Sequence, residues 1–308
     1  MKIDKNTRIY IAGCGGMLGE SVYARFKDAA TVLATDIDVN ADWLSYADVR
    51  DHKAIAQSIE AFRPDAIINL SAITDMELCE REQENAWLTN ALGAENVALV
   101  AKKLDVPHIY ISTAGIFGGE KEFFNDFDTP NPLSIYAKSK YAGEMFVKQS
   151  VPKFYVVRAG WMMGGGPDKD KKFVNKIYKQ IVAGKTELSV VDDKLGTPTY
   201  TVDFANGLFT LLESDCYGTY NQVCPGSCSR YDVAKRFVEL LGLADTVTVN
   251  KVSSDFFAAE YFAERPASEK LVTMKLEARG LMVMRDWEVC LEEYARAFAA
   301  DLAERQPA

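Results

Sequence analysis

Tyr136 and Lys140 stand four residues apart, and with Thr113 upstream they supply what proton chemistry at a carbonyl requires. On a helix that spacing puts the phenol and the ammonium on one face. A nearby ammonium favours the tyrosinate and draws the phenol from a pKa of ~10 toward a useful acid–base range. Thr113 closes the dipeptide Ser112-Thr113 at the end of an apolar run. A hydroxyl there can bond the carbonyl oxygen that Tyr136 protonates and polarise it for hydride attack. Ser112 is its rival for that role. The Tyr-x-x-x-Lys spacing is not selective by itself, because Tyr23 with Lys27 and Tyr231 with Lys235 repeat it. Context separates them. Tyr136 follows a strand pattern at His108–Ser112, and Pro130-Asn131-Pro132 returns the chain to its helix start. Tyr23 lies on the helix behind a glycine-rich turn, where packing is expected, and neither His52 nor His108 is placed to serve a Ser-His-Asp nucleophile.

Hydride chemistry needs a donor, and the segment Ile11-Ala12-Gly13-Cys14-Gly15-Gly16-Met17-Leu18-Gly19 offers a place for one. Gly13, Gly16 and Gly19 fall between a predicted strand, Arg8 to Ala12, and a predicted helix, Met17 to Lys27. A tight turn, close approach of a pyrophosphate and close packing of helix on strand each call for glycine. The helix N-terminus at Met17 and Leu18 then aims free N–H groups at the phosphates. A second strand, Thr31 to Thr35, runs into Asp36. This context of strand, turn, helix and acidic strand end points to a bound dinucleotide.

The elements that must position these groups follow from periodicity. Apolar runs at Ala66–Leu70, His108–Ser112 and Phe154–Val157 read as buried parallel strands. Helical stretches at His52–Phe62, Met76–Leu104 and Tyr136–Gln149 lie between them. The alternation predicts an α/β fold, a doubly wound parallel sheet of Rossmann type, whose ligands bind beyond the carboxyl ends of its strands. After Arg158 the pattern loosens into a turn-rich break, Gly160 to Pro167. Helices at Lys172–Ala183, Thr201–Glu213, Tyr231–Leu241 and Glu288–Ala303 follow. Thr219–Val223 reads as a further strand of the main sheet. The expected division is a dinucleotide-binding domain over residues 1–160, with 197–224 returning to it, and a smaller substrate lobe over most of 161–308.

Composition bounds the function. A chain of 308 residues with 48% hydrophobic content can bury a full core, and its net charge of −9 argues against nucleic acid or an anionic membrane as partner. No apolar stretch approaches the length of a membrane span, and the run behind the charged start Met1-Lys2-Ile3-Asp4-Lys5 is too short for a signal peptide. Six cysteines without a C-x-x-C pair, and two histidines, indicate reduced thiols in a cytoplasmic protein with no metal site.

Taken together, the glycine pattern at 13–19, Ser112-Thr113 with Phe117, and Tyr136-x-x-x-Lys140-x-x-Gly143-Glu144 resemble extended short-chain dehydrogenases. Two further stretches, Arg158-Ala159-Gly160-Trp161 and Val190 to Thr201, resemble the dTDP-4-dehydrorhamnose reductase branch, as does Arg265-Pro266-Ala267-Ser268. The resemblance implies a reductase that passes hydride from a nicotinamide to the keto carbon of a nucleotide-linked 4-keto-6-deoxy sugar. Tyr136 would donate the proton, Lys140 would hold the nicotinamide ribose, and Thr113 would bind the carbonyl oxygen. Asp48 and Val49 would meet the adenine, and Ser71 and Ala72 the cofactor ribose. Trp161 would form part of the sugar pocket, and Thr197, Pro198 and Thr199 would border the substrate. Asp36 favours NAD(H), since a carboxylate accepts the two ribose hydroxyls and repels a 2′-phosphate. No Arg or Lys lies in Ile37–Trp43 to reverse this, while the permissive family leaves NADP(H) open.

Departures from the family pattern carry information too. The sequence after Thr113 is Ala114-Gly115-Ile116, without the acidic pair of sugar 4,6-dehydratases, which speaks against dehydration. Ser21 stands where some members carry a glutamate supporting a magnesium-linked dimer, so no such metal is expected, and a homodimer stays open. Two other functions share these motifs: a nucleotide-sugar 4-epimerase that retains its cofactor, and a non-catalytic regulatory subunit that only binds a dinucleotide.

Overall fold

Short β-branched runs settle into seven parallel strands in the computed structural model, which describes residues 1–305. Six of them are β1 (Arg8–Ala12), β2 (Thr31–Asp36), β3 (Leu44–Tyr46), β4 (Ala66–Asn69), β5 (His108–Thr113) and β6 (Phe154–Ala159). The seventh, Gly218–Asn221, pairs with β6 at the sheet edge. Their order is Gly218–Asn221, β6, β5, β4, β1, β2, β3, and every pairing is parallel. The order reverses between β1 and β4, which opens a crevice at their carboxyl ends.

Alternation along β1 feeds two cores. Ile9 and Ile11 pack on one face with Val22, Phe26, Phe204 and Leu208. Tyr10 packs on the other with Ile55, Ile59 and Val97. The first cluster continues without a break to Tyr178, Phe237 and Phe298 of the C-terminal half, so both halves share one apolar interior. In that half, Trp161–Met163 pairs with Pro198–Tyr200, and Glu187–Val191 with Thr248–Val252. No helix among the described residues is long and apolar enough to cross a membrane.

Three features differ from the sequence expectation. β3 is a strand that periodicity did not reveal. The stretch Met76–Leu104 is not one helix: it turns at Glu82 (φ −117°, ψ 60°) and widens to a π-helical turn over Leu88–Leu92 before Gly93–Leu104 resumes. Asn90 sits in that turn, and its amide exchanges hydrogen bonds with Ile73 at 2.8 and 3.0 Å. The return bond fixes the loop after β4 against the helix. The extra backbone width follows from this buried tertiary pairing, not from local propensity.

Candidate active site

The glycine turn joins β1 to the helix Met17–Lys27 at the switch point. Gly13 has φ +75°, and a methyl there would lie 2.4 Å from the Ser71 backbone, so β1 and the loop after β4 meet at bare glycine. A methyl on Gly19 would strike the Cys14 carbonyl at 2.0 Å, which makes helix and strand contact equally dependent on it. Gly16 is different: nothing lies within 4 Å of the position its methyl would occupy. Gly16 is also the N-cap and no side chain caps the helix, so its first-turn amides have no side-chain partner. An uncapped helix start beside an empty glycine cradle fits a pyrophosphate.

Asp36 ends β2 beside this turn. Its Oδ2 accepts the Gly15 amide at 2.8 Å and its Oδ1 the Asp38 amide at 2.9 Å. Each oxygen keeps a lone pair, so the carboxylate fits a ribose diol. Ser71 and Ala72 lie half-buried in the crevice, with the Ser71 amide donating to Asn69 at 3.0 Å. Asp48 is held by Arg50 at 2.7 Å, which keeps its carboxyl below the usual range. Val49 is buried, and its carbonyl accepts from Asn96 at 2.8 Å. The residues thus suit a dinucleotide along the carboxyl edge of β1, β2 and β4.

Thr113, at the end of β5, caps a short turn over Ala114–Ile116, its hydroxyl accepting the Gly115 amide at 3.1 Å. The helix Ile135–Ser150 begins at Ser134, whose hydroxyl accepts the Ala137 amide at 3.2 Å, and this start brings Tyr136 beside Thr113. Lys140 is buried one turn on. Its ammonium lies 4.3 Å from the centre of the Tyr110 ring, and the Tyr110 hydroxyl donates to the Lys140 carbonyl at 3.0 Å. Ser112 turns away into a buried pair: it donates to Glu144 at 2.7 Å, and Arg158 binds the same carboxylate at 2.6 Å.

The electrostatics correct one expectation. Burial pushes the Tyr136 phenol up to about 12, with the Thr113 hydroxyl opposing only part of the rise. The expected lowering by Lys140 is not found: its ammonium lies against Tyr110, and burial pushes it down to about 7. The same burial leaves the phenol protonated at neutral pH, the state a proton donor needs. The two other Tyr-x-x-x-Lys pairs are accounted for elsewhere. Tyr23 stacks on Trp43 at 4.0 Å, and the Tyr231 ring meets Lys251. His108 is buried and held down to about 4, far from proton exchange near neutrality.

Across the crevice stands Trp161, with the Arg230 guanidinium 3.7 Å from its ring centre. Thr197 and Thr199 are buried, and their hydroxyls are spent on the Leu271 amide (2.9 Å) and the Gly160 amide (3.0 Å). With Pro198, which pairs with Trp161, they frame this wall instead of lining the opening. Arg265 meets Glu77 at 2.7 Å and Lys172 meets Thr74 at 2.7 Å, tying the two halves together beside the cleft. Arg230 and Glu269 were not singled out from sequence. The resemblance at Arg265-Pro266-Ala267-Ser268 stops one residue short of Glu269. Ser21 donates to Thr201 at 2.8 Å.

A parallel sheet with this switch point, a glycine-rich turn after β1 and a Tyr-x-x-x-Lys helix whose tyrosine meets a strand-end threonine define an extended short-chain dehydrogenase fold. Within that class, the family model described as the RmlD substrate binding domain matches residues 7–300, and the chain belongs to that family. It is 32% identical over 298 residues to the dTDP-4-dehydrorhamnose reductase of Mycolicibacterium smegmatis, covering 94% of this chain and 85% of that one. A dTDP-4-dehydrorhamnose reductase structure from Clostridium acetobutylicum superposes with a TM-score of 0.85 at 33% identity, covering 97% of this chain and 100% of that one. The Bacillus anthracis enzyme of the same name, in complex with NADP, gives 0.85 at 30% identity, covering 96% and 99%.

Proposed function

We propose that this protein is a nicotinamide-dependent reductase of a nucleotide-linked 4-keto-6-deoxy sugar. The pairing of Thr113 with Tyr136 at the switch-point crevice carries the reading, and the relatives of the same name support the substrate class. The cofactor supplies hydride to the carbonyl carbon when bound. Tyr136 gives its phenolic proton to the carbonyl oxygen, which becomes the hydroxyl of the product. Thr113 donates a hydrogen bond to that oxygen and draws off charge as it develops. Lys140 holds the nicotinamide ribose and, once an anionic oxygen or hydroxyl neighbours it, regains its proton and steadies Tyr136.

Gly13, Gly16, Met17, Leu18 and Gly19 hold the pyrophosphate, and Asp36 the adenosine ribose, which favours NAD(H) over NADP(H). Asp48 and Val49 border the adenine, and Ser71 and Ala72 the second ribose. Residues 1–160 and 197–224 form the cofactor domain, and the remainder, with Trp161 at its edge, receives the sugar. A cytoplasmic setting suits six free cysteines, five of them buried.

The test follows nicotinamide absorbance with a dTDP-4-keto-6-deoxy sugar and either NADH or NADPH. Wild-type protein consumes the reduced cofactor, and Tyr136→Phe lowers the rate about 10²–10⁴-fold. Absence of consumption with both cofactors rejects the reading.

A further inference from the structure

Glu269 lies on an extended segment gripped from both sides. Its amide donates to the Leu195 carbonyl at 2.8 Å, and Leu271 donates to the Thr197 hydroxyl at 2.9 Å. Its neighbours turn the other way: the Ser268 hydroxyl donates to the Glu122 carbonyl at 2.6 Å, and Lys270 meets the Glu122 carboxylate at 3.1 Å. Alternation along an extended chain therefore turns Glu269 away from Glu122 and toward Trp161 in the cleft.

There its two oxygens differ. Oε2 accepts the Trp161 indole N–H at 2.6 Å. Oε1 has no hydrogen-bond donor among the described residues. It lies over Gly115, where a methyl group would be 3.2 Å from Oε1 and 3.5 Å from the Thr113 hydroxyl. The free oxygen of Glu269 and the hydroxyl assigned to the carbonyl thus flank one point. Its charge also reaches Tyr136, contributing to the raised phenol.

We propose that Glu269 is a specificity-determining residue, whose Oε1 accepts a hydrogen bond from the substrate hydroxyl next to the reacting carbonyl. This rests on the substrate class given above. A carboxylate accepts only, so its partner must be a donor. In a 4-keto-6-deoxy sugar the carbons beside the carbonyl are C3, which bears a hydroxyl, and C5, which bears a methyl group and the ring oxygen. Only C3 offers a donor. A sugar lacking that hydroxyl would leave this half-buried carboxylate oxygen without its donor, and a site built to bond a substrate hydroxyl discriminates strongly against the analogue lacking it.

The experiment compares dTDP-4-keto-6-deoxy and dTDP-4-keto-3,6-dideoxy sugars with wild type, Glu269→Gln and Glu269→Ala. The readout is the ratio of kcat/KM for the two sugars, a ratio internal to each protein that a partly unfolded variant does not alter. Wild type prefers the 3-hydroxylated sugar by about 10²-fold or more, and both variants reduce that preference at least about tenfold. An unchanged ratio overturns the role, leaving Glu269 only a prop for Trp161. The same ratio is taken by calorimetry, from binding of the corresponding 4-hydroxy sugars. If wild type binds these sugars but reduces neither keto form, the reductase reading falls and the binding ratio decides the role of Glu269. If it binds neither, both fall.

Discussion

Ser112 donates to the Glu144 carboxylate at 2.7 Å, so the two hydroxyls at the end of β5 meet different residues of the helix Ile135–Ser150, two turns apart. Ser112 belongs to a buried ion pair with Arg158, while Thr113 faces Tyr136. Neighbouring hydroxyls of nearly equal chemistry thus have separate partners, Ser112 inside the sheet and Thr113 at the strand end where the chain turns.

That separation is measurable. Thr113→Val is expected to lower kcat about 10²–10³-fold, the effect of deleting one donor to a developing oxyanion, and to cost about 1 kcal/mol of stability with the lost cap on Gly115. Ser112→Ala is expected to do the reverse. It removes a donor from a buried carboxylate and destabilises by about 1–3 kcal/mol, with kcat nearly intact. Equal kinetic losses in both variants would refute the division.

Lys140 gives the protein a pH-dependent stability of definite sign. Burial holds the folded ammonium down to about 7 against 10.5 for a free lysine. Between those values the unfolded chain binds more protons than the folded one, so stability of the cofactor-free protein rises with pH across that window. Lys140→Met is expected to remove this slope and to stabilise the cofactor-free protein near neutrality by about 1–3 kcal/mol, while abolishing most turnover. Thermal melts of both proteins at pH 6, 7.5 and 9 check it. A Tm difference constant over that range would mean that Lys140 titrates normally.

The sequence made the first βαβ unit legible nearly to the residue, because strand, glycine turn and helix start each impose a different composition. Arg8–Ala12 and Met17–Lys27 form at the predicted bounds. The proximity of Thr113 and Tyr136 was legible from the motifs, but the electrostatics of Tyr136 and Lys140 were not. A four-residue interval shows that an ammonium is near, not that both groups are buried. β3 escaped notice because two of its three residues, Ser45 and Tyr46, are exposed and leave no apolar pattern. The break in Met76–Leu104 escaped because Asn90 acts through a distant loop. Glu269 in a polar stretch reads as solvated, and only the threading of its segment between Leu195 and Glu122 turns it inward.

Asp36, proposed above to read the cofactor ribose, is fixed in position from two directions by the amides of Gly15 and Asp38. Because the turn itself holds the carboxylate, it cannot swing aside to admit a 2′-phosphate without releasing the Gly15 amide. A like-charge contact near a protein surface is worth about 1–2 kcal/mol after screening, or about five- to thirtyfold in affinity. Asp36→Asn keeps an oxygen for Gly15 but gives up the charge and the bond from the Asp38 amide. The variant is expected to raise the ratio of kcat/KM for NADPH over NADH about fivefold or more, with a Tm somewhat below wild type. Asp36→Ala also frees the Gly15 amide, so it is expected to weaken both cofactors while shifting the ratio the same way. If the ratio is the same in Asp36→Asn and wild type, the carboxylate serves the turn and does not read the ribose.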